Sequence, residues 1–218
     1  METSYAMHGL IDKLTNNEIT NILVIGLKNS GKTTVLKQLG DITSTEITKG
    51  FEVEEVEYKN TKFTSFPMGN PNFDKIRRSF YSKISGIIYI LDCTNSQPSQ
   101  IIYAYDELAV ILKAEELTAK PLLLAANKYD LKKLSFFEIA DNFNYRRLGI
   151  IRRTYTQHTM GTTGAGLLEG LEWLFGTIEG IRARNRKVVE ESAHEDVHVP
   201  TSILSTAVAF VTGFFRKP

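Results

Sequence analysis

An apolar run, Ile22-Leu23-Val24-Ile25, passes directly into GLKNSGKTT at 26–34 and then into VLKQL. A short apolar run against glycine reads as a buried strand, and TTVLKQL reads as a helix. The glycine-rich stretch is then the turn that joins them. Gly26, Gly31, Lys32 and Thr33 fit G-x-x-x-x-G-K-[ST]. In that pattern the glycines let backbone amides turn inward around phosphate oxygens. Lys32 reaches the β- and γ-phosphates, and the Thr33 hydroxyl ligates Mg²⁺. Lys28, Asn29, Ser30 and Thr34 complete the candidate phosphate cradle, and the helix that follows points its positive end into it. A chance Gly-Lys-rich turn would lack this strand before and helix after.

The rest of the chain repeats the strand and helix alternation. Residues 51–58 and 62–66 read as strands joined by a hairpin at Lys59-Asn60. GIIYILD (86–92) and PLLLAAN (121–127) are apolar runs suited to strands covered on both faces. Residues 153–158 suggest a sixth strand. Helical patterns fall at 99–118, 135–142 and 166–188, and 41–50 reads as loop. The fold class is therefore α/β, a doubly wound phosphate-loop domain over about 21–182, with a mostly parallel six-stranded sheet and helices on both faces. Before it, 1–20 carries a short amphipathic segment in which Met7, Leu10, Ile11 and Leu14 share one face. After it, 183–202 reads as a charged helix end running into a linker.

Composition excludes several classes. With 26 basic and 25 acidic residues the net charge is +1, so no basic field points to nucleic acid. The lone Cys93 excludes an internal disulfide and suits a reducing compartment. The start of the chain lacks a secretory leader's pattern, and no apolar run reaches the roughly 20 residues that span a bilayer. Residue 2 is Glu, so the glycine that N-myristoylation requires is absent. The expected location is intracellular and cytoplasmic, with peripheral membrane contact as one reading of the tail.

NKYD at 127–130 specifies a base. It follows an apolar strand, as a loop at the carboxyl edge of a sheet should. The Asp130 carboxylate can accept from the N1 and N2 amino groups of guanine, and adenine offers no such pair of donors. Asn127 can brace the loop, and the Lys128 stem can lie along the base. An ATP-driven enzyme is disfavoured on this ground.

With these motifs in place the chain resembles a small GTPase of the ADP-ribosylation-factor and Arf-like group. The resemblance is carried by GLKNSGKTT, TKGFEVEEVEYKN (48–60), DKIR (74–77), ANKYDL (126–131) and GLLEGLEWL (166–174), and covers about 20–180. It implies GTP or GDP with Mg²⁺ as the bound group. It makes Thr48 the second Mg²⁺ ligand when GTP is present, beside Thr33. It places Gly161, Thr162 and Thr163 on the far side of the guanine. Phe51, Phe66 and Phe80 become an effector-facing aromatic cluster, with plain strand packing as the alternative for Phe51 and Phe66. It also implies an N-terminal helix that docks on the domain with GDP and leaves it with GTP.

The resemblance breaks after residue 66. The group has Asp-x-Gly-Gly-Gln there, where Asp holds a Mg²⁺ water, a Gly amide touches the γ-phosphate and Gln orients the attacking water. This chain reads Phe66-Pro67-Met68-Gly69-Asn70-Pro71. Pro67 stands at the Asp, Asn70 at the second Gly and Pro71 at the Gln. A one-residue shift brings Gly69 to that Gly but Phe66 to the Asp. Asn72 or Asp74 standing in through space is the alternative. Lys28 replaces an Asp, either facing the γ-phosphate or pointing into solvent. Holding GTP requires only the phosphate loop, Mg²⁺ and NKYD. Cutting it at even roughly 10⁻⁴ per second, the unaided rate of a small GTPase with its Gln intact, requires more. The expectation is a protein that holds GTP and hydrolyses it slowly or not at all.

The last segment, 203–218, turns apolar. At about 100° per residue, Ile203, Leu204, Ala207, Val208, Phe210, Val211, Phe214 and Phe215 fall within roughly 160°. Such a helix suits a membrane interface through 203–217, a partner's groove, or the chain's own domain. Two functions follow: a membrane-associated switch or adaptor with a protein effector, or a GTPase-derived subunit of a larger assembly with a fixed nucleotide.

Overall fold

The computed structural model describes residues 6, 8–12, 18–48, 51–68, 74–94, 97–131 and 152–195. Its strands are β1 (Thr20–Gly26), β2 (Ile42–Thr48), β3 (Phe51–Tyr58), β4 (Thr61–Pro67), β5 (Gly86–Asp92), β6 (Leu122–Asn127) and β7 (Thr154–His158). They form one seven-stranded sheet in the order β2-β3-β4-β1-β5-β6-β7. The β2–β3 and β3–β4 pairs are antiparallel, and every other pair is parallel. The doubly wound architecture is the one the sequence implies. The sheet carries one strand more than expected, because 42–48, read as loop, pairs with β3 as an outermost strand. A strand at the rim is bonded on one side only and needs no continuous apolar run. The β3–β4 hairpin closes through Lys59-Asn60 as expected, with Lys59 at φ 50.

The helices are α1 (residues 8–12), α2 (Lys32–Leu39), α3 (Asp74–Tyr81), α4 (Pro98–Leu112) and α5 (Leu167–Glu195). α5 continues to Glu195, beyond the helical pattern read at 166–188, because its charged end has no apolar face to show a period of burial. The helix expected at 135–142 and the amphipathic segment 203–218 lie outside the described residues.

β1 divides the core by alternation. Leu23 and Ile25 point to one face with Phe66, Tyr89 and Leu91, under α3 and α4. Ile22 and Val24 point to the other with Ile88 and Ile90, under α2, α5 and Ile11 of α1. Each of these strand residues is at most 5% exposed. At roughly 25 cal/mol per Å² the two cores are the main driving force of the fold. They also fix where the strand ends lie. The carboxyl ends of β1, β5, β6 and β7 emerge side by side beside the switch in strand order at β1, where doubly wound sheets bind ligands.

Two compact units are present, Met1–Glu179 and Gly180–Pro218. The first holds the sheet. In the second, α5 exposes side chains 183–192, and the Ser192 hydroxyl bonds back to the carbonyls of Val188 and Val189 at 2.9 and 3.0 Å.

Candidate functional site

β1 ends at Gly26, where a Cβ would lie 2.5 Å from the Ile90 carbonyl oxygen of β5. Only glycine lets the chain leave the sheet here. The loop turns through Asn29 at φ 64 and Gly31 at φ 100, and Gly31 caps α2. A Cβ at Gly31 would also run into the Asn127 side-chain nitrogen. The pattern residues thus do what the sequence predicts of them: they bend the chain and keep its backbone bare.

Lys32 is half-buried at the start of α2. Its Nζ donates to the carbonyls of Gly26 and Leu27 at 2.9 and 3.0 Å. Burial pushes its pKa down to about 8, offset only in part by the charge of Glu54. A buried cation held by two neutral carbonyls is a seat short of negative charge. The Thr33 hydroxyl donates to Glu54 Oε2 at 2.8 Å. Glu54, on β3, is 8% exposed, and the sequence reading did not single it out. No local pattern could have done so, since the two residues meet only because β3 crosses in front of α2.

NKYD closes the site from the other side. Asn127, 1% exposed at the end of β6, bonds to two other segments. Its Nδ2 donates to the Ser30 carbonyl at 2.9 Å, and its Oδ1 accepts from the Gly161 amide at 2.9 Å and the Thr159 hydroxyl at 3.5 Å. Lys128, at φ 58, donates to the Asn29 carbonyl and to Asp92 Oδ2, both at 2.7 Å. So two residues in the left-handed region, each costing roughly 1–2 kcal/mol, are tied to one another. Burial works to raise the Asp92 carboxyl, but hydrogen bonds from Lys128 and Thr94 outweigh it and hold the group below its ordinary value. Asp92 and Thr159 were also missed, although Asp92 ends β5 at the same sheet edge, a position that the strand-end rule marks.

Two adjoining cavities result. One, of about 350 Å³, is lined by Asn29, Gly31, Lys32, Thr33, Thr34 and Lys128. The other, of about 280 Å³, is lined by Asn127, Lys128, Asp130, Leu131, Gly161 and Thr162, with Gly31 and Thr34 shared between the two. A cationic cavity joined to one with a carboxylate on its wall suits a phosphate ester attached to a planar base. Thr163 does not line it. Its hydroxyl accepts from the Ala165 amide at 3.3 Å and faces the Met160 carbonyl at 3.5 Å, within its own turn.

The expected aromatic surface is corrected at Phe66. This ring is fully buried, because Phe66 points to the sheet face that α3 and α4 cover; it packs on Phe80 at 5.3 Å. Phe80 is half-buried. The side chains of Thr48 and Phe51, and residues Gly69, Asn70 and Pro71, lie outside the described residues. Arg77, 4% exposed, fixes the start of this region: it donates to the Tyr81 hydroxyl at 2.8 Å, reaches the Pro67 carbonyl at 3.5 Å and pairs with Asp74.

Comparison with known proteins matches this arrangement. The model of the ADP-ribosylation factor family matches residues 7–178. Among solved structures, the fold is similar to the Arl6 BBS3 small GTPase from Trypanosoma brucei, whose structure holds the nucleotide analogue GppNp. The TM-score is 0.60 at 26% identity, covering 73% of this chain and 96% of that one.

Proposed function

The chain belongs to the ADP-ribosylation factor family, and we propose that it binds a guanine nucleotide and holds GTP with Mg²⁺ while hydrolysing it slowly or not at all. The observation that carries this reading is the Asn127 node, which joins the phosphate loop, NKYD and the Gly161 turn into one site. Lys32 and the loop amides would hold the phosphates, and Asp130 would accept from the guanine edge. The residues present fit Mg²⁺: the Thr33 hydroxyl and Glu54 carboxylate put hard oxygen donors at the head of α2. When bound, the ion neutralises charge on the β- and γ-phosphates. Thr33 would hold it, and Thr48 is the proposed second ligand. Thr33 can do so through an oxygen lone pair while its proton stays on Glu54, so this carboxylate would orient the hydroxyl toward the ion.

Slow hydrolysis rests on the sequence Pro67 to Pro71, which supplies neither the carboxylate nor the glutamine that position the attacking water. Lys28 is exposed and lines a cavity with Leu27, Met68 and Gln100, outside the phosphate cavity, so it carries no part of this reading. α1 supports a switch. His8 stacks on Tyr58 of β3 at 3.9 Å, its Nε2 lies 3.1 Å from the Leu39 carbonyl, and Asp12 pairs with Lys59 at 2.8 Å. Glu54 and Tyr58 share β3, so one strand runs from the nucleotide site to the α1 contact. The tail at 203–217 would then give a peripheral membrane contact. The Arg77 cluster favours a second reading, a subunit of a larger assembly in which the nucleotide is fixed, because it ties the end of β4 to α3 where a switch would rearrange.

The test is to denature the purified protein, identify the nucleotide released, and follow one turnover of added GTP. Stoichiometric GTP and a rate well under 10⁻⁴ per second are expected. Bound GDP with an ordinary rate would refute slow hydrolysis. An empty protein that takes up no guanine nucleotide would refute the binding reading.

A further inference from the structure

Asp130 stands on a turn of three residues, Tyr129–Leu131, entered through Lys128 in the left-handed region. Two backbone bonds hold this turn. Leu131 N donates to the Lys128 carbonyl at 2.9 Å, and Tyr129 N to the Thr159 carbonyl at 3.3 Å. The first closes the turn on itself. The second ties the turn to the end of β7. Between them the Tyr129 ring lies flat on the His158 ring, with centroids 3.7 Å apart and planes at 15°. His158 ends β7, and the amide of the next residue, Thr159, donates to the Ala126 carbonyl of β6 at 2.9 Å. One ring of the pair therefore belongs to the sheet and the other to the turn that carries Asp130. Neither ring lines the base cavity, whereas Asp130 does.

We infer that Tyr129 and His158 are positioning residues for base recognition: their stack sets the direction of the Asp130 carboxylate and so the discrimination of guanine from bases with fewer donors. The chemistry allows a direct reading. Guanine offers Asp130 two donors and hypoxanthine offers one, so the preference for GDP over IDP measures how well the carboxylate is aimed. A stack that only added stability would change both affinities together. One that aims Asp130 changes their ratio. This inference rests on the guanine-nucleotide reading above.

The experiment measures GDP and IDP affinities of the full chain, wild type and His158→Ala, with the melting temperature of each. The GDP-over-IDP preference should fall roughly threefold to tenfold in His158→Ala, the range a ring pair of this kind supplies. His158→Phe, which keeps a flat ring and removes the imidazole nitrogens, should restore it. Tyr129→Leu removes the other ring and should reproduce the loss if His158→Ala folds poorly. An unchanged preference in both ring-removing variants, or no recovery with Phe, would overturn the inference. A wild type that binds neither nucleotide would instead overturn the guanine-nucleotide reading itself. A wild type that binds both without preference would show that Asp130 does not read the base.

Discussion

Lys32 is the residue whose charge the protein's own groups satisfy least. Its pKa of about 8, against an ordinary lysine near 10.4, means the folded protein binds fewer protons than the unfolded chain between those values. Stability of the ligand-free protein therefore carries a component that is lowest below pH 8 and rises through that window. A phosphate ligand reverses the shift. Nucleotide binding at pH 9 should take up about one proton, and binding at pH 7 close to none. Calorimetry in buffers of different ionisation heat measures this directly. An equal uptake at both pH values would place the lysine elsewhere. Asn127 makes a second prediction at this scale. Asn127→Ala leaves the buried Ser30 carbonyl and Gly161 amide without their partner, at about 2–3 kcal/mol of stability. Denaturant unfolding should show that loss, and guanine-nucleotide affinity should fall by at least tenfold with it.

Among the elements, α3 and the end of β4 carry the departure from the family's pattern. The Arg77 guanidinium is buried, and its removal strands the Tyr81 hydroxyl and the Pro67 carbonyl. Arg77→Ala should cost about 1–3 kcal/mol, the cost of leaving buried polar groups without a partner while the half-exposed Asp74 is resolvated, and a chemical melt would register it. Replacing Pro67 by Asp, Asn70 by Gly and Pro71 by Gln rebuilds the family's set. If the missing groups limit the reaction, that triple variant should hydrolyse GTP at least tenfold faster in a single turnover. An unchanged rate would shift the blame to the rigid seat beneath them. This is also the scale at which legibility can be argued. The β1 strand, its loop and NKYD were readable because each function there is written in consecutive residues. Glu54 was not, since its meeting with Thr33 depends on the path of β3. β2 was not, because a rim strand needs no apolar period. The ring pair at Tyr129 and His158 was hidden for the same reason as Glu54: its members lie on different elements. Phe66 was legible as strand but not as core, because its burial depends on where α3 and α4 cross the sheet.

For the whole molecule, α1 is the part whose attachment is most open to measurement. Ile11 is 1% exposed and packs with the α2 and α5 side of the core. Ile11→Ala should weaken its docking by about 2–5 kcal/mol. Hydrogen exchange of residues 8–12 should then accelerate while amides of β5 and β6 stay protected. Uniform acceleration would mean that α1 is integral to the fold, not a detachable cover.

The Asn127 node also places ligand capture late in the birth of the protein. The two residues joined across it, Ser30 and Asn127, are 97 positions apart. A ribosome takes about 5–20 seconds to make that stretch. Once the phosphate loop has left the tunnel, β1 still lacks both its neighbours until β4 and then β5 emerge. The loop cannot close around a nucleotide while the chain is half made, however much GTP the cell holds. Nucleotide can then act as a final latch on a finished sheet but not as a template for building it. Added GTP should accordingly raise the yield of native protein in refolding without quickening its earliest collapse.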